Sequence, residues 1–410
     1  MKISSHTSKL AILTVLAISS IGFVACSSND EPTPTATSAP VPTNTAVSVA
    51  TSTPVTTTTS TLVPATATAP RVPTATPAGL AACPTKGVTE MTGAGATFPF
   101  PLYSKMFDEY NKLCGVKVNY QSIGSGGGIA QVQNQTVDFG GSDAIMSDTQ
   151  KAQAKGGVVL HVPVVAGAEA IIYNLPGISR GQVKMTSTVL ADIYLKKIKK
   201  WNDPALMDLS PGVNLPNLDI AVVHRSDGSG TTFIFTNYLS KVSAEWKDKV
   251  GNATSVNWPG DIGGQGNEGV ANNVKQIPGS IGYVELAYAK QNSLSWAQMQ
   301  NKAGKYLDPS IEVASAAADV ANLPDNMEVV VTDSDNPDAY PIVGFTWLLI
   351  YQNQTNEAKA DAVTRLAWWM LHSGQQYATP LDYAPLKGAA IGKAEALLKS
   401  ITFNGQPVLK

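Results

Sequence analysis

Cysteine and histidine are scarce in this chain, which carries three and four of them, and each scarcity removes a class of function. Three cysteines are too few for a disulfide-built scaffold, and none has the companion Cys or His spacing of a zinc site. His6, His161, His224 and His372 suggest no metal cluster either. Charge is thin as well: Asp, Glu, Lys and Arg make up 15% of residues, and the formal net charge is -2. That leaves no broad positive field for nucleic acid, so any anion site has to be local and built from specific donors. No GxxxxGK[ST] loop or complete dinucleotide fingerprint occurs, which disfavours nucleotide binding. A long apolar run is missing too, because the stretch from Leu10 to Ala25 falls short of the about 20 residues a membrane span needs.

What is present begins with Lys2 and Lys9 ahead of that short apolar run, the pattern of an export signal. Phe23-Val24-Ala25-Cys26 resembles the bacterial lipobox, with Phe where Leu is usual. The resemblance implies a lipoprotein signal peptide over 1–25, lipidation of Cys26, and residence on the extracytoplasmic face of a bacterial cell membrane. Several acyl chains on one lipoprotein give stable attachment. With Cys26 so used, Cys83 and Cys114 remain as a candidate disulfide joining the entrance of the first strand to the turn before the second. Two separate thiols are the alternative. Residues 26–84 read as a stalk: from Ser27 to about Leu80 nearly everything is Thr, Pro, Ala, Ser or Val. Proline favours extended backbone, and few large apolar groups are there to offset ordering entropy. Fully extended, the stalk reaches at most roughly 170 Å.

From about Thr85 a short-strand and helix rhythm sets in. Strands are expected at Val88–Met91, Val116–Gln121, Val137–Gly140, Val158–Val165 and Ala170–Tyr173, then within LDIAVVHR, SIGYVEL and FTWLLIY. Helices are expected at Pro99–Leu113, from Gly124 to Gln135, over ADIYLKKIKKW and SGTTFIFTNYLSKV, from Glu357 to His372, and at Ala389–Leu398. Alternation of this kind predicts an α/β protein with mixed β-sheets flanked by helices, in two lobes with the chain crossing between them more than once. Eight equal units do not appear, which disfavours a closed barrel.

Four polar stretches offer backbone N–H groups or hydroxyls where a helix is expected to begin: Gly93–Phe98, Gly124–Gly127, Gly141–Asp143 and Arg225–Thr231. Helix starts present unpaired amides and a dipole end that favours an anion, and small residues let the backbone come close. Each stretch alone is an ordinary cap or tight turn as readily as a ligand site. Several converging on one cleft would replace the hydration shell of a tetrahedral oxyanion.

Four segments carry a more specific signal: TGAGATFPFPLYSKMFDEY, VNYQSIGSGGGIAQVQNQTVDFGGSDAIMSD, IAVVHRSDGSGTTFIFTNYLSKV and SIGYVELAYAKQN. In order and content they closely resemble the periplasmic phosphate-binding proteins of ABC transporters, from about Met91 to the LDYAPL region. The resemblance implies the two-lobed periplasmic-binding-protein fold, with lobe I from 85–166 and 341–410 and lobe II from 167–340. Crossings are expected near Val165–Ala170 and Tyr340–Gly344. It implies a phosphate site made of Thr97, Phe98 through its N–H, Ser125, Asp143, Arg225, Ser229, Gly230 and Thr231, with Asp227 orienting Arg225. Transmembrane permease subunits would be the partner, with no cofactor, no metal and a monomeric state.

Asp143 carries the sharpest chemistry in that set. A buried carboxylate can accept the proton that phosphate carries near neutral pH, whereas sulfate offers none and leaves unpaired charge. Receptors for sulfate or arsenate are the rival readings, and arsenate shares the protonation and shape of phosphate. Catalysis is disfavoured, because Ser229 has no adjacent base and orienter. His224 stands where relatives often carry a basic residue, and Gly126 where a Ser is common.

Overall fold

A computed structural model describes residues 82–260 and 262–409. The expected signal segment, Cys26 and the stalk as far as 81 lie outside these residues. Strand β1 (Glu90–Gly95) leads into helix α1 (Phe100–Cys114), followed by β2 (Lys117–Ser122), α2 (Ser125–Gln133), β3 (Phe139–Ser142) and the long β4 (Val159–Tyr173). Further on come β5 (Ala221–Arg225), α3 (Gly230–Val242), β6 (Ile262–Gly264), α4 (Gly266–Gln276), β7 (Ser280–Glu285) and β8 (Val343–Tyr351). These strands form one mixed sheet in the order β2-β1-β3-β8-β4-β7-β5-β6, with helices alongside, which is the α/β architecture the alternation predicts.

Helix α1 forms because Leu102, Tyr103, Met106, Phe107 and Tyr110 fall on one stripe at helical spacing, and all five are buried. Pro101 sits in the first turn, where its missing N–H costs nothing. Gly115 ends the helix with φ 68°, its N–H returning to Asn111 O. The aromatic part of the stripe packs on Tyr120 and Phe139 from the sheet and on Trp369. Each such side chain contributes about 1.5–3 kcal/mol by leaving water. Cys83 and Cys114 form a disulfide that ties the segment before β1 to the end of α1.

All fifteen residues of β4 are buried, as a largely apolar strand covered on both faces requires. Its two ends pair with different strands. Val159 to Ala168 pair antiparallel with β8, and Glu169 to Tyr173 pair antiparallel with β7. Pro163 lacks an N–H for the ladder, and the register shifts opposite Thr346/Trp347 as a bulge. On the β1 side, Gly128 of α2 packs against bare backbone: a Cβ there would lie 2.5 Å from Gly95 Cα.

Several sequence expectations are corrected. Gly93–Gly95 belong to β1 instead of opening a loop, because Gly93 lies under the Phe139 ring and Gly95 against Gly141, positions a side chain would block. The two strands expected at Val158–Val165 and Ala170–Tyr173 are one, since the intervening Ala and Gly keep β-geometry under the Phe98 ring. The helix expected over ADIYLKKIKKW stops at Tyr194, where Lys196 turns to φ 60°. Finally, no helix starts at Asp143. The next one begins at Asp148, so the amide supply there comes from the end of β3 rather than a helix start.

Candidate functional site

The four polar stretches meet at one end of the strands. Thr97 follows β1, Asp143 follows β3, Arg225 ends β5, and Ser125 opens α2. Ser229 caps α3, its Oγ accepting from Thr232 N–H at 3.0 Å, so Gly230 and Thr231 are the first residues of that helix. Thr97, Phe98, Ser125, Asp143, Arg225, Ser229, Gly230 and Thr231 are all buried.

Contacts across the sheet bring them together. Ser125 Oγ accepts from Asp143 N–H at 3.1 Å. A Cβ added to Gly230 would lie 2.5 Å from both Asp143 Oδ2 and Ser125 Oγ, so only glycine lets the start of α3 approach this pair. The loops that flank the site also touch, with Gly126 N–H donating to Gly228 O at 2.9 Å. Arg225 forms a two-pronged pair with Asp227 (Nε to Oδ1 at 2.8 Å, Nη2 to Oδ2 at 2.6 Å) and donates through Nη1 to Thr231 Oγ1 at 3.2 Å. Asp227 thus fixes the guanidinium on two sides, and it also accepts from Gly266 N–H at 3.1 Å. Phe98 turns its ring onto Gly167 and its carbonyl to Tyr383 Oη, which donates at 2.6 Å.

Two carboxyls in the site have opposite electrostatics. Burial raises Asp143 to about 7, although Thr346, Arg225 and Ser125 each pull the other way. Thr346 donates to its Oδ1 at 2.7 Å. Burial also pushes Asp227 up, but the hydrogen bonds and charge of Arg225 more than offset this and hold it below the usual carboxylate value. The pocket thus contains one committed anion, paired with Arg225, and one carboxyl poised to gain or lose a proton near neutrality.

Residues that the sequence reading missed complete the arrangement. Asn267, fully buried at the start of α4, donates from Nδ2 to Thr97 Oγ1 at 2.8 Å and to Thr231 Oγ1 at 3.1 Å. Its Oδ1 accepts from Glu285 N–H at 2.9 Å. The glycine-rich GGQGNEG around it was an available signal, being a further loop-to-helix junction of small residues. Thr346 was visible too, as the one aliphatic hydroxyl within the apolar strand FTWLLIY. His224 stacks on Trp258 with ring centroids 4.9 Å apart and its Nδ1 lies 2.9 Å from Arg225 O, so it is packed beside the site instead of exposed.

Fold and site together define a solute-binding protein: the PBP superfamily domain model matches residues 42–373. A phosphate-binding protein of Pasteurella multocida is 49% identical over 312 residues, covering 76% of this chain and 90% of that one. One from Xylella fastidiosa is 47% identical over 315 residues, covering 76% and 85%. Among solved structures, a high affinity periplasmic phosphate-binding protein bound with phosphate superposes with a TM-score of 0.60 at 22% identity, over 75% of this chain and 93% of that one. The chain belongs to the phosphate-binding protein family of ABC-type phosphate transport systems.

Proposed function

We infer that this protein captures inorganic phosphate outside the cytoplasm and hands it to an ABC-type permease, as a receptor and not as an enzyme. The phosphate would be held by the hydroxyls of Thr97, Ser125, Ser229 and Thr231, the N–H groups of Phe98 and of the α3 start at Gly230, and the Arg225 guanidinium. Helix α3 would point its N-terminal end at the anion, which adds a favourable dipole. Asn267 holds Thr97 and Thr231 in register for this task. Asp143 would accept the ligand proton, and this acceptor distinguishes phosphate from sulfate, which brings a second unpaired negative charge to a buried carboxylate.

The observation that carries the reading is the meeting of Asp143, Ser125 and Gly230 in a buried site otherwise lined with donors. Residues 85–166 with 341–410 are assigned to one lobe and 167–340 to the other. The partner change of β4 between Ala168 and Glu169 and the start of β8 at Val343 support crossings there. Closure of the lobes would exclude water and strengthen each hydrogen bond. Lipidation of Cys26 would anchor the monomer to the membrane, with 26–84 as its tether.

Calorimetric titration of the phosphate-stripped protein with inorganic phosphate, alone and against excess sulfate, tests this reading. Tight binding indifferent to sulfate is expected. Asp143→Asn loses a charge-assisted acceptor worth about 1.5–3 kcal/mol, so phosphate affinity should fall roughly 10- to 100-fold and sulfate should compete better. Equal binding of sulfate by the unaltered protein would overturn the phosphate-specific mechanism.

A further inference from the structure

Glu169 is fully buried in the middle of the sheet, and neither carboxylate oxygen has a hydrogen-bond partner among the described residues. Leaving a buried charge unpaired is costly enough that such a group either finds a partner or becomes neutral. Its position is specific. Glu169 is the first residue of β4 to leave β8 for β7, and it stands directly opposite Glu285. Its own N–H donates to Ile342 O at 2.9 Å, so it links the two segments assigned as crossings between lobes. Glu285 has Oε2 engaged by Ala287 N–H at 2.8 Å, where it caps the following helix.

Every neighbouring element brings a polar or titratable group to this point. Asp143 and Arg225 act on Glu169 from the phosphate site, Glu285 and Tyr283 from β7, Tyr194 from the helix Ser187–Tyr194, and Tyr340 from the chain ahead of β8. Tyr383, Tyr288 and Asp382 surround Glu285. Among these groups only Arg225 opposes the accumulation of negative charge, and Asp227 already occupies it. Burial first, and then Asp143 and Glu285, push the Glu169 carboxyl well above its usual range despite Arg225.

We propose that Glu169 makes lobe closure proton-linked: its carboxyl enters the closed protein neutral and ionises when the lobes part and water reaches the crossing. This extends the receptor reading above and rests on it. In the open form the carboxyl returns toward the ordinary value of about 4.3, while in the closed form it stays protonated far higher. Between those two values closing takes up a proton, so the closed form is favoured at low pH and that advantage is lost as pH rises. A receptor of this kind releases its ligand more readily on an alkaline surface.

The test is the dissociation constant for inorganic phosphate from pH 5 to 8, measured on the unaltered protein, on Glu169→Gln and on Glu169→Val. Both variants carry neutral side chains, so either one that folds suffices. The titration of phosphate itself is common to all three and cancels in the ratio. Relative to a variant, the unaltered protein should lose affinity with rising pH by up to about tenfold per unit. A merely structural Glu169 would give a ratio that does not change with pH, and that result overturns the proposal. Absence of tight phosphate binding by the unaltered protein at every pH would instead sink the receptor reading itself.

Discussion

Replacing Asp143 with asparagine converts its electrostatics into a measurable slope of stability with pH. Burial raises this carboxyl from an ordinary 3.8 to about 7. A raised acid stabilises the fold fully below its unfolded value, and that contribution disappears as pH rises through the folded value, because the unfolded chain ionises while the folded one still holds its proton. The interval is roughly three units at 1.36 kcal/mol each, so the loss is about 4 kcal/mol between pH 4 and 7. The substituted amide is neutral throughout and keeps a carbonyl to accept from Thr346. Urea denaturation of the phosphate-free proteins between pH 4 and 8.5 reads the effect directly. The advantage of the unaltered protein should be greatest at pH 4, swing by about 4 kcal/mol toward the variant as pH rises to 7, and level off beyond. Parallel curves over the whole range would show that burial does not raise the Asp143 carboxyl, and the case for a dry site around it would fail.

Two further outcomes follow from other parts of the molecule. Asn267→Ala removes the donor shared by Thr97 and Thr231 and leaves Glu285 N–H unpaired in the core, which should cost about 2–4 kcal/mol in denaturant unfolding and weaken phosphate binding. An unchanged unfolding midpoint would refute that role. Reducing the disulfide between Cys83 and Cys114, which lie 31 residues apart, frees the denatured chain and should cost about 3–4 kcal/mol. Unfolding that is insensitive to reductant would contradict this. Phosphate affinity should hardly change on reduction, because the bridge lies at the far end of α1 from Thr97.

Much of this molecule was determined by short-range sequence physics. The stripe in α1, the hydroxyl-and-glycine start of α3 and the mainly apolar run of β8 follow from local periodicity and capping, which act over a few residues. So does the candidate set of donor loops, since a helix start exposes amides wherever it is placed. Only tertiary structure decided which of those loops face one another. It alone determined that Gly230 would press against Asp143 and Ser125, that Asn267 would bridge Thr97 to Thr231, and that β4 would pass from β8 to β7 at Glu169. These contacts join residues tens to hundreds of positions apart, and their energies depend on water being excluded from both partners at once. No local pattern records that, because desolvation exists only after the chain has closed over the site.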